Sequence, residues 1–264
     1  MLGWRLFVRA LTLLIDNIGV ALRVSLVPYA LVVAATLWLV SSYGVEGLTS
    51  GGAVTFDPAN PDAAMPESGL VFGTFLVSAL SVIVTLWIAV GWHRFVLLDE
   101  RPAGVMPRFH GGRVLAYLGW SILIGLLVAL VAFAVSMLFG VVLITLVPGG
   151  LAGLLLGAAS LFVSMILFYR LAVKLPAVAI GREMTFGEAW AATRGHSGTV
   201  VVLALLTVAF SILLQVPTML DGGGVGGFGA VTVLYQLVVQ WFATLLGVGT
   251  LTALYGHLVE GRPV

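Results

Sequence analysis

Apolar residues run in long blocks along this chain, and polar residues are confined to the gaps between them. Six blocks stand out, near 24–43, 70–92, 114–137, 151–170, 199–220 and 230–256. Crossing about 30 Å of hydrocarbon at 1.5 Å per residue takes about 20 residues, so each block predicts a transmembrane helix. The third stays apolar through Val147, just before Pro148, which leaves open a long tilted helix or a re-entrant turn at its far end. Residues 2–17 follow a different rule. Arg5, Arg9, Thr12 and Asp16 recur at helical spacing on one face, opposite Trp4, Phe7, Leu11, Leu14 and Ile15, which predicts an amphipathic helix lying in the interface. A second arginine in the middle of this stretch argues against a cleaved signal peptide.

Composition agrees. Of 264 residues, 61% are hydrophobic and 9% charged, with a mean hydropathy of +1.16, which excludes a soluble globular domain. The 12 basic and 11 acidic residues nearly cancel, so there is no net field to attract nucleic acid. Their placement matters more. With six alternating spans, Arg5, Arg9, Arg23, Arg94, Arg101, Arg108, Arg113, Arg170, Lys174, Arg182, Arg194 and Arg262 all fall on one side. Glu46, Asp57, Asp62, Glu67 and Asp221 fall on the other, with no base among them. The positive-inside rule then places both termini in the cytoplasm. The chain has no cysteine, which excludes disulfides, thiolate metal sites and cysteine nucleophiles.

The expected fold class is therefore all-α integral membrane: one polytopic domain over 1–264, six transmembrane helices arranged as three hairpins, and an N-terminal interfacial helix. Recurrent aromatic and basic residues at the hairpin ends leave a threefold internal repeat open. Segment 44–69, with Pro58, Pro61 and Pro66, reads as an irregular loop. Trp92, Tyr117, Trp120, Tyr169 and Tyr255 fall at inner helix ends, and Trp38 and Tyr43 at an outer one, where either headgroup contact or helix packing accounts for them.

Candidate sites are few. Between Arg170 and Gly198, Thr185 and Glu188 have the spacing of a capping box, which predicts a short helix from Phe186 to Arg194 with Gly195 as its stop. Arg170 and Lys174 lie four apart, and Glu188 could neutralise one of them. The whole segment reads as an amphipathic connector, with Arg5, Arg9, Arg170, Lys174, Arg182 and Arg194 as the candidate contacts to lipid phosphates. Within the membrane, Gln236 and Gln240 share a face and could meet Gln215 beside Pro217, either as interhelical hydrogen bonds or as a solute contact. Gly149, Gly153 and Gly157 form a ridge at spacing four that permits close helix approach, within the chain or to another protein.

Three strings resemble enzyme or metal motifs. Gly195-His196-Ser197-Gly198 is similar to the serine motif of rhomboid proteases, with His257 as a conceivable base, but Ser197 opens the fifth span on the wrong side for that chemistry. The run from Gly224 to Gly229 matches a dinucleotide-binding pattern, yet that motif works only between a strand and a helix, so an outer turn is expected. His93, His110, His196 and His257 fall in inner loops without ligand spacing, and read as isolated interfacial histidines. No catalytic residue, metal or cofactor is expected.

The order Arg170, Pro176, then Thr185-Phe-Gly-Glu-Ala-Trp-Ala-Ala-Thr-Arg-Gly resembles bacterial multi-span proteins related to YciC and the membrane domain of some glycerophosphodiester phosphodiesterases. The resemblance implies a compact module of about six helices with an interfacial N-terminal helix, often an accessory one. It does not extend to the soluble phosphodiesterase domain, so that activity is not carried over. Eleven arginines to one lysine fit a GC-rich bacterium. The expected function is a non-enzymatic accessory or scaffold protein of a bacterial inner membrane, with membrane lipids and another integral membrane protein as partners. The alternative is a facilitator of a small or lipid-like solute, and absence of a mid-membrane carboxylate weakens ion-coupled transport. An intramembrane hydrolase ranks third.

Overall fold

The computed structural model describes residues 1–49, 68–102, 104, 107–147, 151–220 and 230–264; side chains at 45–49, 144, 154, 215, 218–220 and 230–234 are not described. Within this range every element is helical: α1 Leu2–Asp16, α2 Ile18–Thr49, α3 Ser68–Leu98, α4 Gly111–Leu146, α5 Leu151–Ala172, α6 Lys174–Ile180, α7 Phe186–Arg194, α8 Ser197–Leu220 and α9 Ala230–Leu258. Six helical stretches are long and apolar enough to cross a membrane: Ile18–Gly44, Ser68–Leu98, Gly111–Leu143, Leu151–Ile180, Ser197–Leu214 and Tyr235–Leu258. They overlap the six blocks read from the sequence, and the protein is an all-α polytopic membrane protein. The third block is helical through Leu146, as a long span rather than a re-entrant turn.

Local chemistry sets the breaks. Asn17 separates α1 from α2, and its carbonyl accepts from Val20 and Ala21 to start the new helix. At Gly44, φ of +74° ends the regular part of α2, a conformation glycine adopts without a Cβ penalty. Pro176 cannot donate to the Ala172 carbonyl four residues back, and α5 stops at Ala172 before the chain restarts as α6.

The twelve bases gather at one end, hereafter the charged end. Side chains there tie together the last turn of α3, the start of α4, all of α6, the start of α8 and the tail after α9. The core sits at this end too. In α9, every residue from Val248 to Gly256 is buried, enclosed by α1, α3 and α6. A helix buried all round must be apolar all round, and Thr250 and Thr252 meet that condition by bonding their hydroxyls back to the Leu246 and Val248 carbonyls.

Two of the expected hairpins pack closely, α2 on α3 and α4 on α5. Gly73 and Gly91 bring α2 and α3 together: an added Cβ would stand 2.6 Å from Leu39 Cδ1 and 3.0 Å from Val24 Cγ1. The third pair, α8 and α9, is held apart by α1, which packs on both. The contact is closest at Gly3, where a Cβ would lie 2.8 Å from the Thr199 carbonyl oxygen. The N-terminal helix thus has three faces. Gly3, Leu6, Phe7, Ala10 and Leu14 are buried in the protein, Trp4 and Ile15 point outward as an apolar stripe, and Arg5, Arg9, Thr12 and Asp16 form the exposed polar stripe.

Candidate functional site

The charged end is built around a buried polar pair. His93 is completely buried in α3, between Thr252 of α9 (Nδ1 to Oγ1, 2.8 Å) and Tyr117 of α4 (Nε2 to the phenol, 3.2 Å). Because the Thr252 proton already goes to the Val248 carbonyl, His93 donates from Nδ1 and accepts at Nε2 from Tyr117. His93 is therefore a satisfied neutral core histidine rather than an interfacial one. Trp92, Tyr117, Tyr169 and Tyr255 are likewise buried, so helix packing places these aromatics, and Tyr169 bonds Thr207 at 2.6 Å.

Segment 170–198 departs most from expectation. Its first part is not a surface connector: α6 is inserted beneath the charged end, with every residue from Lys174 to Ala179 buried, whereas most residues of 182–198 are exposed, as in a surface connector. Lys174, only 4% exposed, cannot reach a headgroup. Its ammonium lies 3.5 Å from the centroid of Trp120 and 5.4 Å from that of Phe186, and donates to the Met184 carbonyl. Aromatic faces and a carbonyl thus replace water around the cation. Gly181, at φ +83°, ends α6 in the left-handed conformation, with Arg182 N–H bonding back to the Ala177 carbonyl and the Arg113 guanidinium lying over the glycine.

The α7 reading holds residue by residue. Glu188 N–H donates to Thr185 Oγ1 at 3.2 Å, while Thr185 N–H and its hydroxyl donate to Glu188 at 2.6 and 2.9 Å. These bonds, with Lys174 nearby, hold the Glu188 carboxyl below its ordinary range. Gly195 does cap α7, but right-handed at φ −74°, because the chain turns directly into α8 and no left-handed reversal is needed.

The other bases divide into tied and untied. Arg170 lies over the Trp190 ring at 4.7 Å and donates to Ser197 Oγ at 2.7 Å, while Ser197 donates to the Arg194 carbonyl. Ser197 is thus engaged by arginine, and His257 bonds the Arg262 carbonyl at 2.8 Å, so the two are not hydrogen-bonded as a dyad. Arg94 pairs with Glu100 at 2.6 Å and donates to the Ala179 carbonyl at the end of α6, and His110 joins the same carboxylate at 3.2 Å. Arg182 and Arg262 share Glu260, at 3.1 and 2.7 Å, and Arg262 also holds the Val96 and Leu97 carbonyls at the end of α3. Arg5 reaches the Val264 carbonyl oxygen. Among the described residues, Arg9, Arg23, Arg108 and Arg194 are exposed and have no carboxylate within ion-pair reach.

Of the clefts at this end, two border α9. One holds about 350 Å³ between α6, α7 and α9, with Arg182, Glu183 and Glu188 at its rim and Tyr255 among its walls. The other holds about 110 Å³ between α1, the end of α3, the end of α9 and the tail, and is lined by Arg9, Thr252, His257 and Arg262. Among the described residues no group of three or more metal-ligating side chains comes together.

Two of the three intramembrane glutamines have described side chains. Gln236 is half-buried and Gln240 exposed, without a side-chain hydrogen bond between them, and the Gln215 side chain lies outside the described residues. Ties from α9 to its neighbours come instead from aromatic residues: Tyr29 to the Leu237 carbonyl (2.8 Å), Trp241 to Ser25 Oγ (2.7 Å) and Tyr235 to the Leu214 carbonyl (2.8 Å). Gly153 and Gly157 are exposed with open space around them, so internal packing does not use this ridge; Gly149 lies outside the described residues. Also outside them are the Gly224–Gly229 string, most of the 44–69 segment and the side chains of Glu46, Asp57, Asp62, Glu67 and Asp221. Compared with protein-family models, curated proteins and solved structures, the chain matches no family, no protein and no structure.

Proposed function

We propose that this chain is a non-enzymatic accessory or scaffold protein of a bacterial inner membrane, with both termini cytoplasmic, acting through apolar helix contacts and a basic end that holds anionic lipid. The observation that carries the reading is the division of bases at the charged end. Arg94, Arg182 and Arg262 are spent on fixing helix ends, whereas Arg9, Arg23, Arg108 and Arg194 stay exposed without carboxylates. An exposed arginine beside apolar surface is positioned for phosphate oxygens at headgroup depth, and each such base contributes about 1 kcal/mol of attraction to an anionic leaflet. The outward stripe of Trp4 and Ile15 on α1 adds the apolar contact that interfacial binding needs. The bacterial setting rests on the arginine bias and on the resemblance to YciC-like proteins.

Purification in mild detergent followed by mass spectrometry of retained molecules tests this. The expected result is anionic phospholipid enriched over its share of the membrane, or a second integral membrane protein in stoichiometric amount. Retention of neither would overturn the proposal.

A further inference from the structure

The cleft between α1 and α9 has the construction of a phosphate site. Of its lining side chains three are basic, Arg9, His257 and Arg262, and none is acidic. Their roles differ. Arg262 is fixed by Glu260 and by the Val96 and Leu97 carbonyls, so it forms a charged wall and has little left to donate. Arg182 shares the same Glu260, and the two arginines leave one positive charge over. Arg9 is exposed and, among the described residues, unpaired. His257 donates from Nδ1 to the Arg262 carbonyl, which fixes its ring against the tail. Behind them Thr252 is buried, its hydroxyl held between the Val248 carbonyl and His93, so the back of the cleft is rigid.

The surroundings indicate where the phosphate would come from. Arg9 lies on the polar stripe of α1, next to the outward apolar stripe of Trp4 and Ile15. A ligand with its phosphate against Arg9 would extend its remaining atoms along an apolar helix face. That suits a phospholipid better than a free ion, since a cleft of about 110 Å³ would take the phosphate and leave the rest of the lipid outside it.

We propose that this cleft binds the phosphate of an anionic phospholipid, with Arg9 as the donor and Arg262 as a fixed positive charge beside it. The inference rests on the proposed lipid-holding role and gives it a single site. Native mass spectrometry of the full chain in mild detergent tests it, titrating dioctanoyl phosphatidylglycerol, dioctanoyl phosphatidylcholine and inorganic phosphate separately. Phosphatidylglycerol should bind in preference to phosphatidylcholine. Arg9→Gln should weaken it about ten-fold, the scale of one charge-assisted hydrogen bond. Arg9→Lys should recover part of the loss. Arg101→Gln, which breaks only the exposed pair with Asp99, should leave it unchanged. If inorganic phosphate binds alone with the same loss in Arg9→Gln, the phosphate site stands and its natural ligand is soluble. Equal phosphatidylglycerol binding by wild type and Arg9→Gln, with unfolding temperatures unchanged, would overturn the inference. Such a result would leave the broader lipid-holding role intact if bulk anionic lipid were still retained.

Discussion

The two ends of the helix bundle are built on different principles. At the charged end α9 is enclosed, and half of its most apolar window is buried within the protein; in the α4 span the figure is 6%. The charged end holds His93, Tyr117 and Lys174 in fixed polar and aromatic contacts, much as a soluble core would. Toward the other end α4 presents Leu126, Leu130, Phe133 and Met137 outward, a surface that lipid chains can solvate. Since lipid is as apolar as these side chains, little is gained by covering them, and close packing there is optional. At the charged end the buried polar groups need partners, so the packing is specific.

This contrast predicts unequal sensitivity to equivalent changes, and the largest difference should come from glycine. Gly3→Val would drive a side chain into the Thr199 carbonyl and Val202, and should cost about 3 kcal/mol or free α1 altogether. Gly157→Val, in open space, should change stability by no more than about 0.5 kcal/mol. Thermal unfolding in detergent checks both, and similar losses would erase the distinction.

A smaller gap is expected for hydrogen bonds. His93→Leu strands the Tyr117 phenol in the core and should cost about 2 kcal/mol, whereas Ser160→Ala, which breaks only the 3.1 Å contact with Ser136, should cost about 0.6 kcal/mol. Denaturant unfolding compares them.

The smallest effect should be the pH response of α7. The Glu188 carboxyl is held below its ordinary value of 4.5, so its capping contribution is complete above that value and is lost as pH falls through the lower, folded-state value. Protection of the Ala189 and Trp190 amides against hydrogen exchange should fall as the pH drops below the ordinary carboxylate range in the wild type. In Glu188→Gln that acid-dependent step should be absent, and an identical step in the variant would refute the assignment.

What the sequence made legible was mostly local. The spans and the three-residue spacing of Thr185 and Glu188 depend on neighbours within one or two turns. The misreadings concern residues whose partners come from far along the chain. Lys174 and the aromatic residues at the helix ends have the composition of an interface, and only the insertion of α6 between α3, α4 and α9 buries them. Glycine spacing alone does not tell which glycines make close approaches: isolated Gly3 and Gly91 do, and so does Gly73, four residues from Gly69, while Gly153 and Gly157 at the same spacing do not. The glutamines were picked out by polarity, but Tyr29, Tyr235 and Trp241 reach further and make the ties.

The central claim, that one end of a six-span bundle collects all the bases on one side of a membrane, can be tested directly. The chain has no native cysteine, so single cysteines can be labelled without background. Ser68 and Leu98 begin and end α3, whose 31 residues span about 46 Å at 1.5 Å per residue. Cysteines replacing Arg23, Arg108 and Arg194 should react with an impermeant maleimide from the cytoplasmic compartment only, and a cysteine at Ser68 from the opposite one. Labelling of Arg108 and Arg194 positions from opposite compartments would contradict the account.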